Sequence, residues 1–289
     1  MAKHRFGWAL GFWLAGALVS KALALGLPGA AAPGLPIMPV VAFGDEGRQD
    51  PAAFAKSRGL DLKALKRATA ASGLVTCGAA QGAGQLTLAN DVITTAAHVF
   101  YDEHGRLRAG SDHCQFLVVV GHELVMTMID VRSIQAGAHD PYGQSPARDW
   151  AVARLLRPVD GITPYGVGKA LAGASVRFAS RGSVDWRQRS DLAMQQCALR
   201  QTLDAAPDGA REVAFDCDAG KGASGGALLD ARGNGLVAVF VGFRSATPNT
   251  PQPFSPEHYN FAVTVEGAFR RAILTAAGVD GTEVGAIGR

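Results

Sequence analysis

The stretch "GASGGALLDARGNG", Gly222 to Gly235, decides between two folds. Its first five residues satisfy G-x-S-x-G, the pattern in which a serine sits on a sharp turn between a strand and a helix. A helix cannot follow here. Gly226, Gly233 and Gly235 each weaken one by about 1 kcal/mol relative to alanine, and "DARGNG" is turn chemistry. The apolar "ALL" reads as a strand instead. Ser224 therefore lies on a glycine-rich turn that enters a strand. Glycines around a serine either free backbone amides to face a reacting carbonyl or simply supply the positive φ that a turn needs.

Outward from this turn the chain has the texture of a β protein. Short apolar runs such as "QLTLA", "DVITTAA", "CQFLVVV", "ELVMTMI", "WAVARLL", "SVRFA", "REVAFDC", "LVAVFVGF" and "YNFAVTV" are separated by Gly, Asn, Asp and Pro. Many short strands at modest spacing predict an all-β barrel or sandwich, and 36 glycines suit its turns and bulges. Two helices are expected at the ends of this array. "LDLKALKRATAA", Leu60 to Ala71, has helical spacing, and "VEGAFRRAILTAAG" places Val265, Phe269, Ala272, Ile273 and Ala276 on one helical face, giving a closing helix over 265–278. Residues 25–71 read as a leader or pro-segment. Its Ala-, Gly- and Pro-rich part, as far as about Arg58, is expected to add little core.

Residues 1–24 combine Lys3 and Arg5, an apolar stretch from Gly7 to Val19, and Ala22-Leu23-Ala24 at an A-x-A position, the pattern of a signal peptide. Removing them leaves 25 basic and 25 acidic residues from the original 28 and 25. That neutral balance, with no basic stripe, argues against a nucleic-acid partner. The apolar run ends at Lys21 and prolines follow, so no stable membrane insertion is expected after signal cleavage. A secreted or periplasmic location follows. Four cysteines in an exported chain suggest two disulfides, with three possible pairings. Cys77–Cys114 and Cys197–Cys217 are favoured because each closes a loop within one half of the chain. None sits at metal-ligand spacing, so no metal is expected.

Chemistry needs a base and an acid to accompany the serine. Of seven histidines, only His98, in "VITTAAHVF", lies at the end of an apolar strand, while His104, His113, His122 and His139 sit in loop-like stretches. A lone histidine there is more often a satisfied core residue. Asp149, in "SPARDWAVARLL", stands at the edge of another strand, either as a cap or as an orienter for an imidazole. Together the order is His98, Asp149, Ser224.

With that order, "TAAH", "DWAV" and "GASGG" resemble the chymotrypsin/trypsin-like serine endopeptidases. "FDCDAGKGASGGALLD", "GLVAVFVGF" and "YNFAV" look like their bacterial branch, related to glutamyl endopeptidases. The resemblance implies two antiparallel six-stranded β-barrels, over 72–165 and 166–264, with a C-terminal helix. It implies a triad of His98, Asp149 and Ser224 that hydrolyses peptide bonds through an acyl-enzyme, an oxyanion hole from the amides of Gly222 and Ser224, and no cofactor. The partner is then a protein or peptide substrate. Asp218, six residues before Ser224, is a candidate for the floor of the substrate pocket, and Phe240 and Val241 for its opposite wall, which leaves basic and apolar preferences open. One departure is Ala223, where digestive members carry the aspartate that receives a new N-terminus. The alternatives are a non-catalytic protease-like binding scaffold or an α/β-hydrolase esterase. The esterase lacks its helix, and only His258 follows the serine.

Overall fold

In the computed structural model, residues 40–108, 113–182, 187 and 191–279 are described, so the expected signal peptide and the leader up to residue 39 lie outside them. The described chain opens with a two-residue strand β1 (Val40–Val41) and two short helices, α1 (Pro51–Arg58) and α2 (Leu62–Ala68). Both helices are started by an aspartate side chain that accepts a backbone N–H three residues on, Asp50 from Ala53 and Asp61 from Ala64. Pro51 occupies the first turn of α1, and Gly59, in the left-handed region, ends it. This segment corrects one expectation. Far from adding little core, the part up to Arg58 buries Phe54 completely, in the same apolar cluster as Val75, Leu86 and Phe116, and Leu65 of the expected helix after it joins them.

Six strands then form a closed barrel: β2 (Ser72–Cys77), β3 (Ala80–Leu86), β4 (Val92–Thr95), β5 (Cys114–Val120), β6 (Glu123–Ala136) and β7 (Ala151–Leu155), in the order β2-β3-β4-β7-β6-β5. A one-turn helix α3 (Ala97–Phe100) follows β4, and a 3₁₀ turn (Pro146–Arg148) precedes β7. The second set comprises β8 (Gly166–Val167), β9 (Ser175–Arg181), β10 (Leu192–Ala205), β11 (Arg211–Phe215), β12 (Ala219–Gly220), β13 (Ala227–Leu229), β14 (Gly235–Ser245) and β15 (His258–Thr264). Its order β13-β9-β10-β11-β15-β14 is closed by pairing of β13 with β14, with β8 added parallel to β14 and β12 paired to β1. Two closed six-stranded barrels are thus present, as the resemblance implied. Helix α4 (Gly267–Ala277) closes the described chain and stops at the left-handed Gly278.

Alternation along the strands fills each barrel. In the second, Phe178, Phe215 and Phe240 meet edge to face with ring centroids 5.5 to 5.8 Å apart, a geometry favoured by the ring quadrupoles. Each barrel also carries one disulfide, Cys77–Cys114 and Cys197–Cys217, the expected pairing.

Candidate active site

His98 enters the site as the second residue of α3. A one-turn helix leaves its first N–H groups without internal partners, and Ala96 offers no side-chain cap. Asp149 takes over that role from 51 residues away. Its Oδ1 accepts the His98 backbone N–H at 2.9 Å, and its Oδ2 lies 2.7 Å from His98 Nδ1. One carboxylate thereby fixes both the backbone and the ring of the histidine, and its contact with Nδ1 leaves Nε2 as the outward nitrogen. The exposed Tyr142 ring lies 6.0 Å from the imidazole, and Arg108 Nε donates to the His98 carbonyl.

Asp149 is itself held from behind. It ends the 3₁₀ turn that Ser145 and Pro146 begin, and it is 5% exposed. The next residue, Trp150, stacks flat on Phe269 of α4 at 5.0 Å, so the closing helix braces the aspartate's chain. Gly137 lies against the same indole, where a Cβ would come within 2.4 Å of Trp150 Nε1. Neither brace was anticipated from sequence; the pair of large aromatics, one beside the acid and one on the apolar face of the closing helix, was the available signal.

The half-buried Ser224 sits on the turn between β12 and β13. This turn is docked on the first barrel: the Ala83 N–H donates to the Ser224 carbonyl at 2.7 Å. A Cβ placed on Gly82 would lie 2.7 Å from that carbonyl and 2.6 Å from Val99, so the turn abuts the residue that follows His98. Gly225 has φ +85°, and a Cβ there would come within 2.0 Å of the Ala83 carbonyl and 2.2 Å of Thr95 Oγ1, so only glycine fits.

The amides of this turn divide into two sets. Those of Ala223, Gly225 and Gly226 donate to the carbonyls of Gly220, Phe240 and Ala223. Among the described residues, those of Gly222 and Ser224 donate to none. Two amides without internal partners, flanking a serine and held by bonded neighbours, can serve a developing oxyanion.

The remaining expected site residues lie elsewhere. Phe240 packs inside the second barrel against Phe178 and Phe215, which corrects its assignment to a pocket wall: neighbours on a strand face opposite ways, so Phe240 and Val241 do not share one. Val241 is buried in the other apolar cluster, with Val239. Asp218 is 1% exposed, and its carboxylate accepts the N–H groups of Phe43 at 2.8 Å and Gly47 at 2.7 Å. Burial pushes its carboxyl up, with the Glu46 carboxylate adding to this, against the pull of those two amides and Arg48. His258, also buried, lies 2.9 Å from Ser245 Oγ through Nδ1 and 3.0 Å from the Ala42 carbonyl through Nε2.

No family profile matches the sequence, and no curated protein matches it significantly. The structure is similar to that of a Glu endopeptidase solved in complex with MPD, with a TM-score of 0.61 at 17% identity, over 82% of this chain and 100% of that one. Less similar are Deg5, at 0.49 and 16% over 73% and 90%, and the Rv3671c protease in its inactive form, at 0.44 and 15% over 73% and 91%. The fold is the chymotrypsin-like serine protease fold. Among the described residues, no helix is long and apolar enough to cross a membrane.

Proposed function

We infer that the protein is an exported serine endopeptidase that cleaves peptide bonds through an acyl-enzyme. The observation that carries this reading is the double hydrogen bond from His98 to Asp149 beside a serine turn with two undonated amides. Ser224 Oγ attacks the substrate carbonyl and passes its proton to His98 Nε2. Asp149 holds the imidazole in the tautomer that leaves Nε2 basic and stabilises the imidazolium once formed. The amides of Gly222 and Ser224 receive the tetrahedral oxyanion, each contributing about 3 kcal/mol. As the carbon–nitrogen bond breaks, the imidazolium returns its proton to the leaving amine. Water, deprotonated by the same nitrogen, then releases the acid and restores the serine hydroxyl.

Two disulfides support an oxidising location, secreted or periplasmic. The engagement of the Asp218 carboxylate by two backbone amides argues against its binding a substrate's arginine or lysine, so a preference for basic residues loses its support. Incubation of the oxidised protein with a mixed peptide library tests the reading. Endoproteolytic products are expected, absent from Ser224→Ala and from His98→Ala. An intact library, or equal cleavage by Ser224→Ala, contradicts it.

A further inference from the structure

The buried carboxylate of Asp218 has no place in the proposed chemistry, yet it joins two parts of the chain more than 170 residues apart. On one side is a strap, Val40 to Arg48. On the other is the segment that carries Ser224, from Asp218 to Gly226. Asp218 begins this segment, β12 continues it, and the Gly220 carbonyl accepts the Ala223 N–H at 3.1 Å, which orients the peptide plane between Gly222 and Ala223. The two undonated amides lie on the peptide planes immediately before and after that one, Lys221–Gly222 and Ala223–Ser224.

The strap meets this segment at β12 and at Asp218. Val40 and Val41 pair antiparallel with Gly220 and Ala219. The next residues curl around the aspartate, so that the Phe43 amide reaches Oδ1 and the Gly47 amide reaches Oδ2. Gln195 completes the shell: its Oε1 accepts the Asp218 N–H at 2.7 Å, and its Nε2 lies 3.4 Å from Oδ2. A side chain at Gly47 would press on this shell, since a Cβ would stand 2.2 Å from Gln195 Nε2 and 2.9 Å from Asp218 Oδ2. The Ala42 carbonyl accepts from Gln252 N–H and from His258 Nε2, and His258 Nδ1 lies 2.9 Å from Ser245 Oγ. Asn260 Nδ2 donates to the Cys217 carbonyl at 2.6 Å and reaches that of Val41 at 3.4 Å, spanning both parts.

A carboxylate that accepts two main-chain amides from a single turn is matched to that turn, and charge-assisted bonds of this kind are among the stronger ones in proteins. We propose that Asp218 is a positioning residue, which clamps the strap Val40–Arg48 against β12 and so holds the Gly222 and Ser224 amides in the geometry that receives the oxyanion. The effect runs through the chain: aspartate to strap, strap to β12, the Gly220 carbonyl to the Ala223 amide. The inference rests on the proposed endopeptidase reading for its kinetic part and is independent of it for its structural part.

Two variants of the full oxidised chain separate the possibilities. Asp218→Asn puts an amide NH₂ where one strap N–H now points, and Gly47→Ala keeps the carboxylate but presses the strap against Asp218 Oδ2 and Gln195 Nε2, forcing them apart. Hydrogen exchange at Phe43 and Gly47 reports the clamp. Turnover per serine titratable with a fluorophosphonate reports the geometry, because dividing by reactive sites removes any misfolded fraction. Both variants are expected to exchange faster across 40–48, to lose about tenfold in kcat with KM within about twofold, and to keep the residue preference of the parent. Unchanged exchange in both overturns the clamp, whether or not the protein proves to be an enzyme. Faster exchange with unchanged kcat overturns the coupling to Ser224. A preference for basic residues that vanishes in Asp218→Asn while persisting in Gly47→Ala makes Asp218 a selector and overturns the positioning role. A parent that neither cleaves nor reacts with the probe refutes the endopeptidase reading and the coupling with it, while exchange still decides the clamp.

Discussion

Asp149 binds His98 twice, through the backbone N–H at 2.9 Å and through ring Nδ1 at 2.7 Å. Replacing it with asparagine keeps the shape but allows the side-chain NH₂ to face Nδ1, which favours the tautomer with the proton on Nε2. Asp149→Asn is therefore expected to lower kcat by roughly four orders of magnitude, with near-native circular dichroism. A loss of less than about tenfold contradicts the orienting role of the carboxylate.

Gly225 is the point where the serine turn presses on the first barrel. An alanine there combines a positive φ with a Cβ 2.0 Å from a backbone carbonyl, so the turn must lift away from Ala83. Gly225→Ala is expected to cost at least about 2 kcal/mol in chemical denaturation, the sum of left-handed strain and a backbone clash, and to abolish cleavage. Native stability in this variant contradicts the seating of the turn.

Tyr165, fully buried and within 2.8 Å of Ser72 Oγ, has its phenol pushed up to about 12 by burial, partly offset by the bond to Ser72 and by the Arg181 charge. The native state therefore keeps a proton that the unfolded chain sheds near the ordinary value of 10.0. This contribution is fully present below the unfolded value and is lost as pH rises between the two, at about 1.4 kcal/mol per unit. Denaturation curves from about pH 9 to 11, a window that brackets the unfolded value, should show Tyr165→Phe, weaker at neutral pH for want of the hydroxyl, declining less steeply than the parent. Parallel decline contradicts the buried phenol.

Much of the barrel architecture was legible in the sequence because strands announce themselves locally. Runs such as "CQFLVVV" and "YNFAVTV" became β5 and β15, and the apolar face of 265–278 became α4. The cysteine pairing followed from loop economy. Less legible was whatever depends on distant partners. Helix α1 holds one large apolar residue, Phe54, so its sequence has no period to read, although Asp50-Pro51 was a start signal in plain sight. The candidate triad could be named by chain order, yet the braces of Asp149 could not, since Trp150 meets Phe269 only across the fold. Asp218 stands out for its offset from Ser224, but its partners at Phe43 and Gly47 lie at the far end of the chain. Phe240 illustrates a different limit: reading "VFVGF" as a wall overlooks the alternation that turns its ring into the barrel.

The central claim is that Ser224 is a nucleophile activated by His98. Its most direct test is the reaction of the oxidised protein with a fluorophosphonate, followed by peptide mapping of the adduct. One adduct per chain is predicted, on Ser224, suppressed in His98→Ala although the serine remains. Absence of an adduct on the folded parent, or an adduct at another residue that persists in Ser224→Ala, would contradict the claim.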